Sequence, residues 1–97
     1  MKIITKNTKG VEPITDQNVE GKILVLRATN LNRGYKTAKN QLWRATGGFG
    51  CNPSLRGKAI FCTALSDNEQ YRWLASEFIG IVSEEFAKQI INEKHTV

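Results

Sequence analysis

The chain has 97 residues, of which 40% are hydrophobic and 24% charged, with 14 Lys and Arg against 9 Asp and Glu and a net charge of +5. That length suits a single domain over 1–97, burying roughly 60–65% of the surface its unfolded chain exposes, and the composition is that of a globule, not a disordered tail. No run of about 18 apolar residues is available to span a membrane. The opening Met1-Lys2-Ile3-Ile4-Thr5-Lys6 lacks the apolar core of a secretory signal, which points to the cytoplasm, and two Cys with one His cannot fill a four-ligand zinc site.

Taken in chain order, Lys2–Thr5 is expected to form a short first strand, and residues 6–21, mixing Asn, Thr, Gly, Pro and acids, a long loop or arm. Lys22-Ile23-Leu24-Val25-Leu26-Arg27 is a β-branched-rich run with charged ends, the pattern of a strand buried on both faces. Thr29–Gly34 carries turn chemistry. Gln41–Thr46 alternates, placing Trp43 and Ala45 on one face and Leu42 and Arg44 on the other. Three Gly and a Pro make residues 47–53 a loop. Lys58–Leu65 is a second continuous apolar strand, Ser66–Glu69 a turn, and Tyr71–Leu74 alternates again.

The period then changes. Ser83 is placed to cap a helix over 83–95, with Glu84 and Glu85 in its first turn, where the helix dipole favours acids. Phe86, Ala87, Ile90 and Ile91 fall on one helical stripe, and Lys94 and His95 close the end. The expected architecture is α+β: a small antiparallel sheet of about four to five strands, a meander over 22–75, packed by the C-terminal helix.

The charge is unevenly distributed. Residues 21–66 hold Lys22, Arg27, Arg33, Lys36, Lys39, Arg44, Arg56 and Lys58 and no acid, whereas residues 67–97 hold six acids against three bases. Cations without local partners attract polyanions or acidic protein surfaces. The steps Trp43-Arg44 and Arg72-Trp73 put each Arg opposite a Trp, so Trp in the core sends Arg44 and Arg72 outward, with Arg27 beside them. Tyr35, Lys36 and Lys39 would extend the patch from a loop. Arg44, Arg56 and Lys58 would ring an aromatic tip at Phe49. The candidate binding residues are therefore Arg27, Arg33, Tyr35, Lys36, Lys39, Arg44, Phe49, Arg56, Lys58 and Arg72.

No catalytic set emerges. His95 stands three residues from the end, a poor position for a general base that must be held in place. Cys62 lies mid-strand and reads as core, while Cys51 lies in the glycine loop with nothing to activate it. Gly47-Gly48-Phe49-Gly50 lacks the Lys-Ser/Thr of a phosphate-binding loop and is followed by Cys-Asn-Pro. Neither an enzyme nor a cofactor is expected.

The string Lys36-Thr37-Ala38-Lys39-Asn40-Gln41-Leu42-Trp43-Arg44-Ala45-Thr46-Gly47-Gly48-Phe49-Gly50-Cys51, with Gly57–Phe61, Arg72-Trp73 and Ser76–Gly80, resembles small proteins of conjugative elements and plasmids of Firmicutes. It is also similar to an accessory domain of their large polyvalent proteins. The resemblance covers roughly 22–82 and implies no catalytic residue. By genetic context and size, it implies an inhibitor of a host defence complex, such as an anti-CRISPR inhibitor of a type II RNA-guided nuclease. Many such inhibitors are acidic mimics of DNA, and this chain is basic. The alternative is a basic nucleic-acid-binding accessory protein of plasmid transfer or regulation. Expected partners are thus a host nuclease or other macromolecular complex, or RNA or DNA directly, with no membrane. The domain itself would be a monomer, or a homodimer through an edge strand.

Overall fold

The computed structural model describes residues 3–14, 19–47 and 59–92. Five strands, β1 (Ile23–Leu26), β2 (Leu42–Gly47), β3 (Ala59–Ala64), β4 (Gln70–Leu74) and β5 (Phe78–Val82), precede one helix, α1 (Glu84–Ile91). All neighbours are antiparallel, in the order β4-β3-β2-β1-β5. The α+β class read from the sequence holds. β1 to β4 follow one another across the sheet, and β5 returns to the far side of β1.

That return forces curvature. Five flat strands about 4.8 Å apart would put the two edges about 19 Å from each other. Yet Phe78 follows Leu74 by only four residues, a reach of at most about 14 Å. A single 3-10 turn, Ala75–Glu77, makes the whole connection. Leu74 N donates to Glu77 Oε2 at 2.9 Å, and Arg27 N donates to the Glu77 carbonyl at 3.0 Å, fastening this turn to the end of β1. The sheet is therefore curled into a half-open barrel. β5 was not expected as a strand, because Ser76, Glu77 and Gly80 interrupt the apolar pattern that would announce one.

Curling divides the core in two. Leu24, Leu26, Trp43, Ala45, Ile60, Cys62, Ala64 and Phe78 fill the concave side. On the convex side, Ile23, Val25, Leu42 and Val82 meet Ala87 and Ile90 of α1 and Ile4 of the N-terminal arm. β1 is thus buried on both faces over its whole length, as its unbroken apolar run requires. Each such side chain contributes roughly 1.5–3 kcal/mol by leaving water. β3 differs from that pattern: Ile60 and Cys62 are buried, but Phe61 is 45% exposed.

Residues 3–14 form an arm that packs on the convex side through Ile4 and Val11 and reaches the concave cluster with Ile14. Residues 3–5 are not a strand, contrary to the expected first strand. The backbone groups of Ile4 instead engage Gln41, a fully buried polar side chain: Ile4 N donates to Gln41 Oε1 at 2.7 Å, and Gln41 Nε2 donates to the carbonyls of Ile4 (2.8 Å) and Leu26 (2.9 Å). Further along, Glu12 and Ile81 exchange both backbone hydrogen bonds at 2.9 Å, covering the β5 edge. Gly80 permits this approach, since a Cβ there would lie 2.5 Å from Val11 Cγ1 and 2.7 Å from the Glu12 carbonyl oxygen.

α1 begins as its sequence indicates. Ser83 Oγ accepts from Phe86 N at 3.0 Å, and Glu84 and Glu85 occupy the first turn. Asn92 caps the described helix after Ile91; Lys94 and His95, expected to close it, lie outside the described residues. None of the described helices is long and apolar enough to cross a membrane.

Candidate functional site

Among the described cations of residues 21–66, Arg44 is drawn into an ion pair with the helix, while Arg27, Arg33, Lys36 and Lys39 stand exposed on one connection. Arg44 projects from β2 to the convex side, where its guanidinium meets Glu84 of α1 fork to fork, Nη1 to Oε2 at 2.6 Å and Nη2 to Oε1 at 2.8 Å. Nη1 also donates to the Gly21 carbonyl at 2.9 Å. The hydrogen bonds from Arg44 hold the Glu84 carboxyl below its ordinary pKa, and the carboxylate raises that of Arg44 in return. Arg44 therefore fastens the helix N-terminus to the sheet. Arg72 lies on the convex face of β4, opposite Phe61 in register.

Arg27, Arg33, Lys36 and Lys39 all sit exposed on the connection between β1 and β2, residues 27–41. Arg27 Nε donates to Asn30 Oδ1 at 3.3 Å. Tyr35, on the same connection, is 61% exposed. Phe49, Arg56 and Lys58, expected to form an aromatic tip with basic flanks, lie outside the described residues, as does Cys51.

What the structure brings together is a groove of about 490 Å³ at the open mouth of the barrel. Asn30, Leu31, Asn32, Tyr35 and Asn40 of the connection form one wall, and Asp67 and Glu69 of the β3–β4 turn with Gln70 at the start of β4 form the other. Trp43, Tyr71 and Trp73 make its floor. Tyr71 and Trp73 are two apart on β4 and so face the same way, toward the concave side that Trp43 shares. Their ring centroids are 4.4 Å apart for Tyr71–Trp73 and 5.5 Å for Trp43–Trp73, the latter edge to face at 77°. The facing residues Ala45, Cys62 and Ala64 are small, leaving room for these large rings.

Local bonding fixes both walls. Trp43 Nε1 donates to the Asn40 carbonyl at 3.0 Å, and Asn40 Nδ2 donates to Thr37 Oγ1 at 3.0 Å. Across the groove, Asn68 takes a left-handed conformation (φ 62°), which closes the turn with Ala64 N donating to the Glu69 carbonyl at 2.8 Å. Asp67 Oδ1 accepts from Glu69 N at 3.0 Å, holding the two acidic residues side by side. Trp73 Nε1 is buried and has no hydrogen-bond partner among the described residues. An unmet buried donor costs about 1–3 kcal/mol.

Of the expected binding residues that are described, only Tyr35 lines this groove. Trp43 and Trp73 were read as core, which describes Trp43 (7% exposed) well but hides its second role. Asp67 and Glu69 read in the sequence only as part of the Ser66–Glu69 turn. One signal could have found the groove: Tyr71-x-Trp73 directly after a tight turn puts two large rings on one face at a sheet edge. A second cavity, about 550 Å³, lies near Thr46, Phe61 and Arg72. No three His, Cys, Asp or Glu side chains among the described residues come together as metal donors. No protein-family model matches the chain, and neither the curated proteins nor the solved structures contain a match to it.

Proposed function

We propose that the protein is a non-enzymatic binding protein of a mobile element, acting in the cytoplasm on a host defence complex. Its target is a type II RNA-guided nuclease, whose guide-RNA or nucleic-acid loading it blocks. The observation that carries the binding role is the groove over Trp43, Tyr71 and Trp73, where the exposed rings of Tyr35 and Tyr71 and polar side chains converge between two walls. Aromatic side chains supply large contact area at little conformational cost, which suits a macromolecular interface. The choice of target rests on the resemblance of residues 22–82 to mobile-element proteins.

A cleavage assay tests this. Purified protein is added to the nuclease before or after guide RNA, and cleavage of a matched duplex is followed. Inhibition that is strong in the first order and weaker in the second is the expected result. Full cleavage in both orders at a hundredfold molar excess overturns it.

The second reading, a nucleic-acid-binding accessory protein, is favoured by one observation: four exposed cations and Tyr35 share the 27–41 connection. It requires binding to single-stranded RNA or DNA that weakens steeply as salt rises, since each phosphate contact releases counterions. Salt-insensitive binding, or none at low salt, removes it.

A further inference from the structure

We propose that the aromatic groove takes a short, extended peptide segment of the partner protein carrying an arginine or lysine, whose cation lies over the Tyr35 and Tyr71 rings and against Asp67 and Glu69. This rests on the binding role argued above and names the chemistry of its ligand.

The charge of the lining decides the class. The protein is basic overall, with a net charge of +5. The groove is not: its lining includes Asp67 and Glu69 and no Lys or Arg among the described residues. Two carboxylates in one lining repel phosphates and attract a cation. Exposed aromatic faces add cation–π attraction, which an arginine over a tyrosine ring satisfies well. The cations of the 27–41 connection are exposed to solvent outside the lining, so they do not neutralise these carboxylates by contact.

The remaining features suit a peptide backbone. Asn30, Asn32 and Gln70 offer amide donors and acceptors along the walls. Trp73 Nε1 lacks an acceptor among the described residues, and Trp73 lines the groove, so a ligand carbonyl there would supply one. The protein channel that grips nucleic acid in an RNA-guided nuclease is itself positively charged. A basic domain with an acid-lined groove can therefore seize a cationic segment there without imitating DNA.

The test uses three pooled libraries of random nonapeptides, each with a fixed central arginine, citrulline or glutamate. The full-length protein is titrated while the indole N–H resonances of Trp43 and Trp73 are followed. The arginine pool is expected to shift both indoles and to bind at least tenfold tighter than the other two. Asp67→Asn/Glu69→Gln, which keeps the turn acceptor and the side-chain shape, should lose that preference with an unchanged backbone spectrum. Equal binding of the three pools, a preference retained by the double variant, or decauridine moving the indoles where the arginine pool does not, overturns the inference. If the nuclease is inhibited but the pools fail, the ligand assignment falls and the functional reading stands. If the pools bind but the nuclease is untouched, the target is wrong and the groove chemistry stands.

Discussion

The two margins of the sheet are built in opposite ways. At the β1–β5 margin, β1 is buried on both faces, the arm pairs with β5 through Glu12 and Ile81, and α1 closes the convex side. At the β4 margin, the strand pairs only with β3 among the described residues, four of its five residues are exposed, and Tyr71 and Trp73 floor a groove. Both margins belong to one curled sheet, so the difference lies in what each is given to cover it. Buried apolar area and satisfied backbone groups accumulate at the first, and unmet binding capacity at the second. Local stability follows buried contacts, and surfaces that bind are drawn from the less covered end. Variants at the two margins should therefore separate stability from binding.

The largest effect on stability is expected at Gln41. Replacing it with Ala strands the Ile4 and Leu26 backbone groups it bonds inside the core. A loss of about 3 kcal/mol is expected, read as a lower urea midpoint. For a domain of this size that corresponds to a fall in Tm of about 12–24 °C. A loss below about 1 kcal/mol would show that the arm is not a structural part of this margin. Next comes Gly80→Ala, which drives a methyl into Val11 and the Glu12 carbonyl. About 2 kcal/mol should be lost, with the arm becoming sensitive to protease while the sheet persists. Uncut arm at unchanged stability would contradict the close approach.

Smaller again is the Arg44–Glu84 pair. The carboxylate is largely exposed, so Glu84→Gln should cost no more than about 1 kcal/mol at neutral pH. Because the folded pKa of Glu84 is depressed, its contribution is complete above the ordinary glutamate range and is lost as pH falls through the folded value. Wild type and variant should thus converge in stability under acid, and a difference that grows on acidification would contradict the pairing. Least of all should Tyr35→Ala matter to stability. Its ring is 61% exposed, so a change within about 0.5 kcal/mol is expected, together with at least a fivefold loss of peptide binding.

Much of the first margin was legible in the sequence, and little of the second. Ile23–Leu26 announces a doubly buried strand because every position is apolar, and Ser83 followed by two acids announces a helix start because few other roles need that order. β5 was hidden because its partner on one side is not a strand but the arm, for which Gly80 must stay bare. Arg44 looked like a free surface cation, since its partner Glu84 lies 40 residues away and only folding joins them. Beyond the Tyr71-x-Trp73 step, the groove is hidden for the same reason: Tyr35, Trp43, Asp67 and Tyr71 come from separate segments that curvature alone assembles. Charge counted along the chain points to the acid-free block of residues 21–66, whereas the lining of the groove has the opposite sign.

That contrast of sign offers the most direct test. Two proteins, Arg33→Ser/Lys36→Ser/Lys39→Ser and Asp67→Asn/Glu69→Gln, would be titrated side by side with the arginine-centred peptide pool at low and physiological salt. An acid-lined groove predicts that removing the basic connection leaves affinity unchanged or up to about threefold tighter, as repulsion of the cationic ligand is relieved. The same account predicts that removing the two carboxylates weakens binding at least tenfold. Loss of binding in the first protein and retention in the second would place the working surface on the basic connection and contradict the account.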